Sequence, residues 1–185
     1  MTTAVTRLPI VGVMGSSTQA FEDVAVPLGR CLAGLSVHLL TGGGVAAMEA
    51  VSRGFAEVTP RAGKVIGVLP ADLPDGVPVP RDGYPNAWVE IVIYTHLPLS
   101  GISGTDMRSR NHINVLSSDV VVVLPGGEGT QSEAELAVRY GRPAIAFFGS
   151  HTVAWPLPDG VAAARSIEDV AEFVRGQLGR QASRR

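Results

Sequence analysis

The densest chemistry in this chain lies in Pro125-Gly126-Gly127-Glu128-Gly129-Thr130. Glycines let a backbone come close to a ligand and adopt positive φ. The turn feeds a helix, whose first amides are unpaired and sit at the positive end of the helix dipole, an arrangement that favours an anion. Thr130 is placed either to cap that helix or to donate its hydroxyl to a phosphate oxygen. Glu133 follows three residues later. That spacing fits a capping box with Thr130. It also fits a carboxylate one turn into the helix and facing the ligand, able to hydrogen-bond ribose hydroxyls, stabilise an oxocarbenium-like state or orient water. Glu135 falls on another helix face, and Glu128 sits in the turn.

A second group is Met107-Arg108-Ser109-Arg110-Asn111. Arg108 reads as a solvated surface residue, whereas Arg110 can turn its planar fork toward a phosphate or toward Glu133. His96 and His112 have no second ligand at a metal-like spacing, so no metal site is expected. Cys31 is the only cysteine. It excludes an internal disulfide, suits a reducing cytoplasm and reads as a small buried apolar residue on a helix. Lys64 is the only lysine and opens a strand, which leaves a pyridoxal Schiff base without a candidate.

The elements that must position these residues alternate between strand and helix. Short apolar runs at Pro9–Met14, Val37–Leu40, Lys64–Leu69, Val89–Tyr94, Asp119–Leu124 and Ala144–Phe148 read as strands. Apolar residues spaced by three and four mark helices at Asp23–Leu35, Val45–Glu57, Asp106–Ser117 (capped by Thr105 or Asp106), Thr130–Tyr140 and Ser166–Leu178. The proline-rich stretch from Pro70 to Asn86 reads as a long loop, of the kind that is usually functional or disordered. Repeated β-turn-α units predict a single α/β domain: a Rossmann-like, doubly wound parallel sheet flanked by helices, spanning residues 1–178. Residues 179–185 read as a frayed basic tail. Such sheets bind ligands at the carboxyl ends of their strands. Gly15-Ser16-Ser17, Gly42-Gly43-Gly44 and the 126–130 turn are predicted to open on that one edge. Gly15, Ser16, Gly43, Gly44, Gly126, Gly127, Gly129 and Thr130 are thus the expected phosphate or nucleotide contacts, with Arg110 and Glu133 as the catalytic pair. Tyr84 or Trp88 would meet the base.

The bulk numbers agree. A chain of 185 residues can bury a core without disulfides or metals. Charged residues are 17% of the chain against 45% hydrophobic, which suits a sheet covered on both faces. The net charge of −2 gives no basic field for nucleic acid. No apolar run approaches the roughly 20 residues of a membrane helix, and Met1–Arg7 lacks the apolar segment of a secretion signal.

Pro125-Gly126-Gly127-Glu128-Gly129-Thr130-Gln131-Ser132-Glu133 resembles the PGGxGTxxE signature of the LONELY GUY proteins, often mislabelled lysine decarboxylases. The likeness runs from Ile10 to Phe148 and takes in Gly15-Ser16-Ser17, the triple glycine with Met48 beyond it, and Val65-Ile66-Gly67-Val68-Leu69-Pro70. It implies a Rossmann-like fold, a homodimer or larger assembly, no cofactor, and hydrolysis of a nucleoside 5′-monophosphate to free base and ribose 5-phosphate. Arg110 and Glu133 match the family's catalytic arginine and glutamate. Asn111 stands where the family usually has lysine, and the 42–49 glycine motif is one residue shorter. Both features, together with Arg110-Asn111-His112 and Ser118-Asp119, resemble a sister branch that includes the molybdenum-cofactor carriers. That likeness implies an alternative: a protein that binds a phosphorylated pterin without transforming it.

Overall fold

A computed structural model describes residues 7–183. The strands are β1 (Ile10–Met14), β2 (His38–Thr41), β3 (Val65–Leu69), β4 (Ala71–Asp72), β5 (Val79–Pro80), β6 (Ile91–Tyr94), β7 (Val120–Val123), β8 (Ala144–Phe147) and β9 (Ala162–Ala164). The helices are α1 (Glu22–Ala33), α2 (Ala47–Ala56), α3 (Asn111–Ser117), α4 (Glu128–Arg139) and α5 (Ile167–Ala182). Seven strands form one parallel sheet in the order β6-β3-β2-β1-β7-β8-β9. The predicted doubly wound α/β sheet is therefore the observed one.

Why β7 reads as four consecutive valines follows from burial on both sides. Val120 and Val122 pack with Leu28 of α1, Phe55 of α2 and Val174 of α5. Val121 and Val123 pack with Val115 of α3 and Leu136 of α4. A strand covered on two faces has no polar alternation to show, and each buried valine contributes about 1.5 kcal/mol or more.

From β1 the chain winds outward through β2, β3 and β6, then returns to lay β7 against the other side of β1. This reversal opens a crevice at the carboxyl ends of β1 and β7. Met14 pairs in register with Val123, so Gly15-Ser16 emerges beside Leu124-Pro125.

Several local expectations are corrected. The helix predicted from Asp106 begins only at Asn111. Asp106 instead folds its own turn, its Oδ1 accepting the Arg108 amide at 2.8 Å, and His112 Nε2 sits 3.0 Å from the Asp106 carbonyl. Helix α4 begins two residues before Thr130, with Gly127 at its N-cap position, so Thr130 is not a cap. The Pro70–Asn86 loop holds the two-residue antiparallel ladder of β4 and β5. Strand β9 has no sequence signal, because three alanines lack β preference. Helix α5 runs through Ala182 instead of fraying at 179, held by Gln181 Nε2 donating to the Asp119 carbonyl at 3.0 Å. Arg184, Arg185 and the start of the chain before Arg7 lie outside the described residues. Cys31 is on α1 as expected but only half-buried, and that burial pushes its thiol up from the ordinary value. No described helix is long and apolar enough to cross a membrane.

Candidate functional site

The first loop of the site is built by Ser16. Its amide donates to Pro125 O at 3.2 Å, which ties the β1 and β7 exits together. Its carbonyl accepts the Ala47 amide at 3.1 Å, and its hydroxyl accepts the amides of Thr18 and Gln19 at 3.1 and 3.0 Å. Trp155 Nε1 fixes the second loop by donating to Gly126 O at 2.8 Å. Between the two loops opens a cavity of about 260 Å³, lined in part by Gly15, Ser16, Gly127, Gly129 and Thr130.

The start of α4 faces this cavity. Gln131 is the first residue whose amide closes a helical bond, to Gly127 O at 3.0 Å. The amides before it are the unpaired donors of a helix N-terminus and carry its partial positive charge. Thr130 adds a side chain to this set. It is 2% exposed, and its Oγ1 is buried with no hydrogen-bond partner among the described residues. An unpaired buried hydroxyl costs about 1–3 kcal/mol, and an acceptor supplied by a ligand at the helix start would remove that cost.

Arg110 forms no ion pair with Glu133, although its charge acts on that carboxyl. Its Nη1 donates to the Val68 carbonyl at 3.2 Å, its Nε is buried without a partner, and among the described residues it makes no ion pair. The Gly42-Gly43-Gly44 turn explains its position. A Cβ on Gly42 would lie 2.0 Å from Arg110 Nη1, and one on Gly44 would lie 2.7 Å from the Tyr84 ring. Gly43 takes φ of +75°, and Asn86 holds the turn by bonding Gly43 O and Gly44 O. The second glycine turn is thus a floor under an arginine and an aromatic ring, and neither Gly43 nor Gly44 lines the cavity.

Glu133 lies on the cavity wall, 7% exposed. Burial pushes its carboxyl above the ordinary value, while the charge of Arg110 and a hydrogen bond from Asn114 oppose the rise. Asn114 Nδ2 donates to Glu133 Oε1 at 2.8 Å, so Glu133 forms no capping box with Thr130. One turn earlier, Asn111 Nδ2 bonds Ser132 Oγ at 3.1 Å. His112 is spent on Tyr140, its Nδ1 lying 2.6 Å from that hydroxyl. His96 and Arg108 are exposed.

Of the residues predicted from sequence, Gly15, Ser16, Arg110, Gly127, Gly129, Thr130 and Glu133 come together on one cavity. Gly43, Gly44 and Gly126 stand behind its walls. Tyr84 lines it, while Trp88 lies in a separate surface hollow with Glu22 and Arg53. Sequence reasoning missed the strap at Ser100-Gly101-Ile102, which also lines the cavity, with Gly101 lying over Gly129. It missed Asn114 too. The strap has no periodicity to notice, but Asn111 and Asn114 could have been read as amides on the helix facing α4.

A family model described as the SLOG cluster4 family matches residues 8–170. The molybdenum cofactor binding protein from the phototrophic bacterium Rippkaea orientalis is similar in structure: it is 32% identical, with a TM-score of 0.71, over 94% of this chain and 99% of that one. The molybdenum cofactor carrier protein from Chlamydomonas reinhardtii is 28% identical over the same shares, with a TM-score of 0.65. DNA processing protein A from Helicobacter pylori, 17% identical over 91% of this chain and 80% of that one, with a TM-score of 0.61, shares the fold alone. No curated protein sequence matches the chain.

Proposed function

This chain belongs to the SLOG cluster4 family, and from that premise we propose that it binds a phosphorylated pterin of the molybdenum-cofactor type as cargo, with the phosphate seated at the start of α4. The observation that carries this reading is the buried, unpartnered Thr130 hydroxyl beside the free amides of that helix. A phosphate monoester fits this donor set: it accepts from several amides and a hydroxyl without needing a nearby lysine. Tyr84, Met48 and Ile102 supply the apolar part of the cavity, which suits a planar ring beyond the phosphate. Similar chains that bind or carry molybdenum cofactor support the choice of ring. The test is to purify the protein from a host that makes the cofactor, then measure bound molybdenum and the fluorescence of the oxidised pterin. Stoichiometric pterin that is lost in Thr130→Val supports the reading; protein free of pterin, with no uptake when cofactor is supplied, overturns it.

A second reading is favoured by one observation, the Glu133 carboxyl on the same cavity as the phosphate donors. In that reading the chain hydrolyses a nucleoside 5′-monophosphate. Glu133 engages the ribose hydroxyls and supports the cationic transition state or its attacking water, and Arg110 offsets charge from beneath. Release of base from AMP, CMP, GMP or UMP, abolished in Glu133→Gln with binding retained, would establish it. Both readings include a homodimer, for which Ile91, Ile93 and Tyr94 on the outer edge strand β6 offer exposed apolar surface. Light scattering gives the mass.

A further inference from the structure

Two asparagines of α3 each hold a side chain of α4, and they are held differently. Asn111 Nδ2 donates to Ser132 Oγ, and Ser132 Oγ spends its own proton on Gly129 O at 2.7 Å. That hydroxyl can therefore only accept, and Asn111 must present its NH2. Asn114 is under no such constraint. It is fully buried, its Nδ2 touches only Glu133, and its Oδ1 has no partner among the described residues. A buried amide normally uses both ends.

The group that Asn114 faces can change its hydrogen-bonding character. As a carboxylate, Glu133 is an acceptor and needs Nδ2–H. As a carboxylic acid it donates from one oxygen and accepts at the other, and when the proton lies on the oxygen that faces Asn114 it needs an acceptor there, which Nδ2 cannot be. A half turn about the terminal torsion of Asn114 exchanges Nδ2 and Oδ1 at nearly the same positions. No second bond on either atom resists that turn.

We propose that Asn114 is the positioning residue for Glu133: it donates Nδ2–H to the carboxylate and, turned about its last torsion, accepts the acid O–H at Oδ1. Glu133 can then take one proton from the ligand or from water at the cavity mouth, and return it, while remaining paired in both states. The Glu133 O–H bond forms as the bond between that proton and the ligand or water oxygen breaks, and the return transfer reverses both. The charged groups that bear on this exchange are few. Arg110 precedes α3 and favours the carboxylate, and Glu128, at the start of α4, and Tyr84 line the same cavity. His112 of α3 is turned to Tyr140. The inference rests on Glu133 as a working group of the cavity under either form of the proposed function.

The experiment uses the ligand-free full chain, carrying 13C at the glutamate δ-carbons and 15N in asparagine. Its pH titration is followed by NMR, with the Glu133 signal assigned from Glu133→Gln. The Asn114 NH2 signals are expected to shift with the same midpoint as the Glu133 carboxyl. Asn114→Leu should raise that midpoint by about one pH unit, because the donor to the charged form is lost. Asn114→Asp should turn the single step into two coupled steps. Asn114 NH2 signals that stay still through the Glu133 midpoint overturn the proposal, as does an unmoved midpoint in folded Asn114→Leu. If Asn114→Leu does not fold, the wild-type NH2 signals decide alone. No ligand enters the titration, so its failure is distinct from failure to bind a pterin or to cleave a nucleotide.

Discussion

At the amino ends of the strands, Asp119 accepts Nη1 and Nη2 of Arg7 and the amide of Ile10. Glu90 accepts Lys64 Nζ and the Val65 amide and pairs with Arg61 at 3.0 Å. Burial pushes both carboxyls up, but these partners outweigh it, holding Asp119 below its usual value and Glu90 at about 2. At the carboxyl ends of the same sheet, Thr130 Oγ1, Arg110 Nε and Asn114 Oδ1 are buried without partners, and burial prevails at Glu133. One rim is therefore completed by the protein's own groups. The other keeps buried polar atoms without a partner among the described residues. Binding sites are often strained or underpaired in this sense, and under the proposed function the contrast would divide stability from function by position along the strands.

The sharpest way to break that contrast is to disturb each rim and see which property fails. A Cβ on Gly63, just before β3, would lie 1.7 Å from Val37 O and 2.6 Å from Val37 C, both fixed backbone atoms. Gly63→Ala is expected to cost about 3–5 kcal/mol in urea unfolding and to leave ligand affinity per folded molecule unchanged. Thr130→Val is the opposite case. It removes a hydroxyl that pairs with nothing in the free protein, so stability should hold or rise slightly. Affinity for the phosphorylated ligand, or for AMP as a probe in calorimetry, should fall about 10–100-fold. If Thr130→Val destabilises the protein and leaves affinity per folded molecule intact, the division between rims is wrong.

Reading the sequence alone worked best where one physical demand acted. Val120–Val123 had to be apolar on both faces, and the glycine turns had to follow strands, so the sheet and the edge that carries the cavity were legible. The sequence misled where a residue served a neighbour distant in the chain. Gly44 was expected as a phosphate contact, yet it makes room for Tyr84, as its neighbour Gly42 does for Arg110, and both side chains arrive from elsewhere. Thr130 and Glu133 have the spacing of a capping box, but Asn114 of α3 takes the carboxylate first. Asp106 resembled a helix cap until its side chain closed a local turn. Spacing along one element shows which groups can meet, and tertiary packing decides which of them do.

The two rim carboxylates give a finer test, because their pH dependences should run in opposite senses. Glu90 has a folded value depressed to about 2, so its contribution is present above the ordinary carboxylate range and lost as pH falls through that window. Glu90→Gln should cost about 1–2 kcal/mol at pH 7, measured by urea unfolding, and the gap to wild type should close toward pH 2. Glu133 has a raised folded value. Its folded state binds more protons than the unfolded chain between the two values, so stability falls as pH rises through that interval. Glu133→Gln cannot ionise and keeps an acceptor for Asn114 Nδ2. It should match wild type at acid pH and become the more stable protein as pH rises. This is the smallest change expected, because Arg110 and Asn114 already offset part of the burial cost in wild type. A Glu133→Gln curve that parallels wild type across the whole range would mean that Glu133 is as fully paired as Glu90, and the two rims would then differ in shape alone.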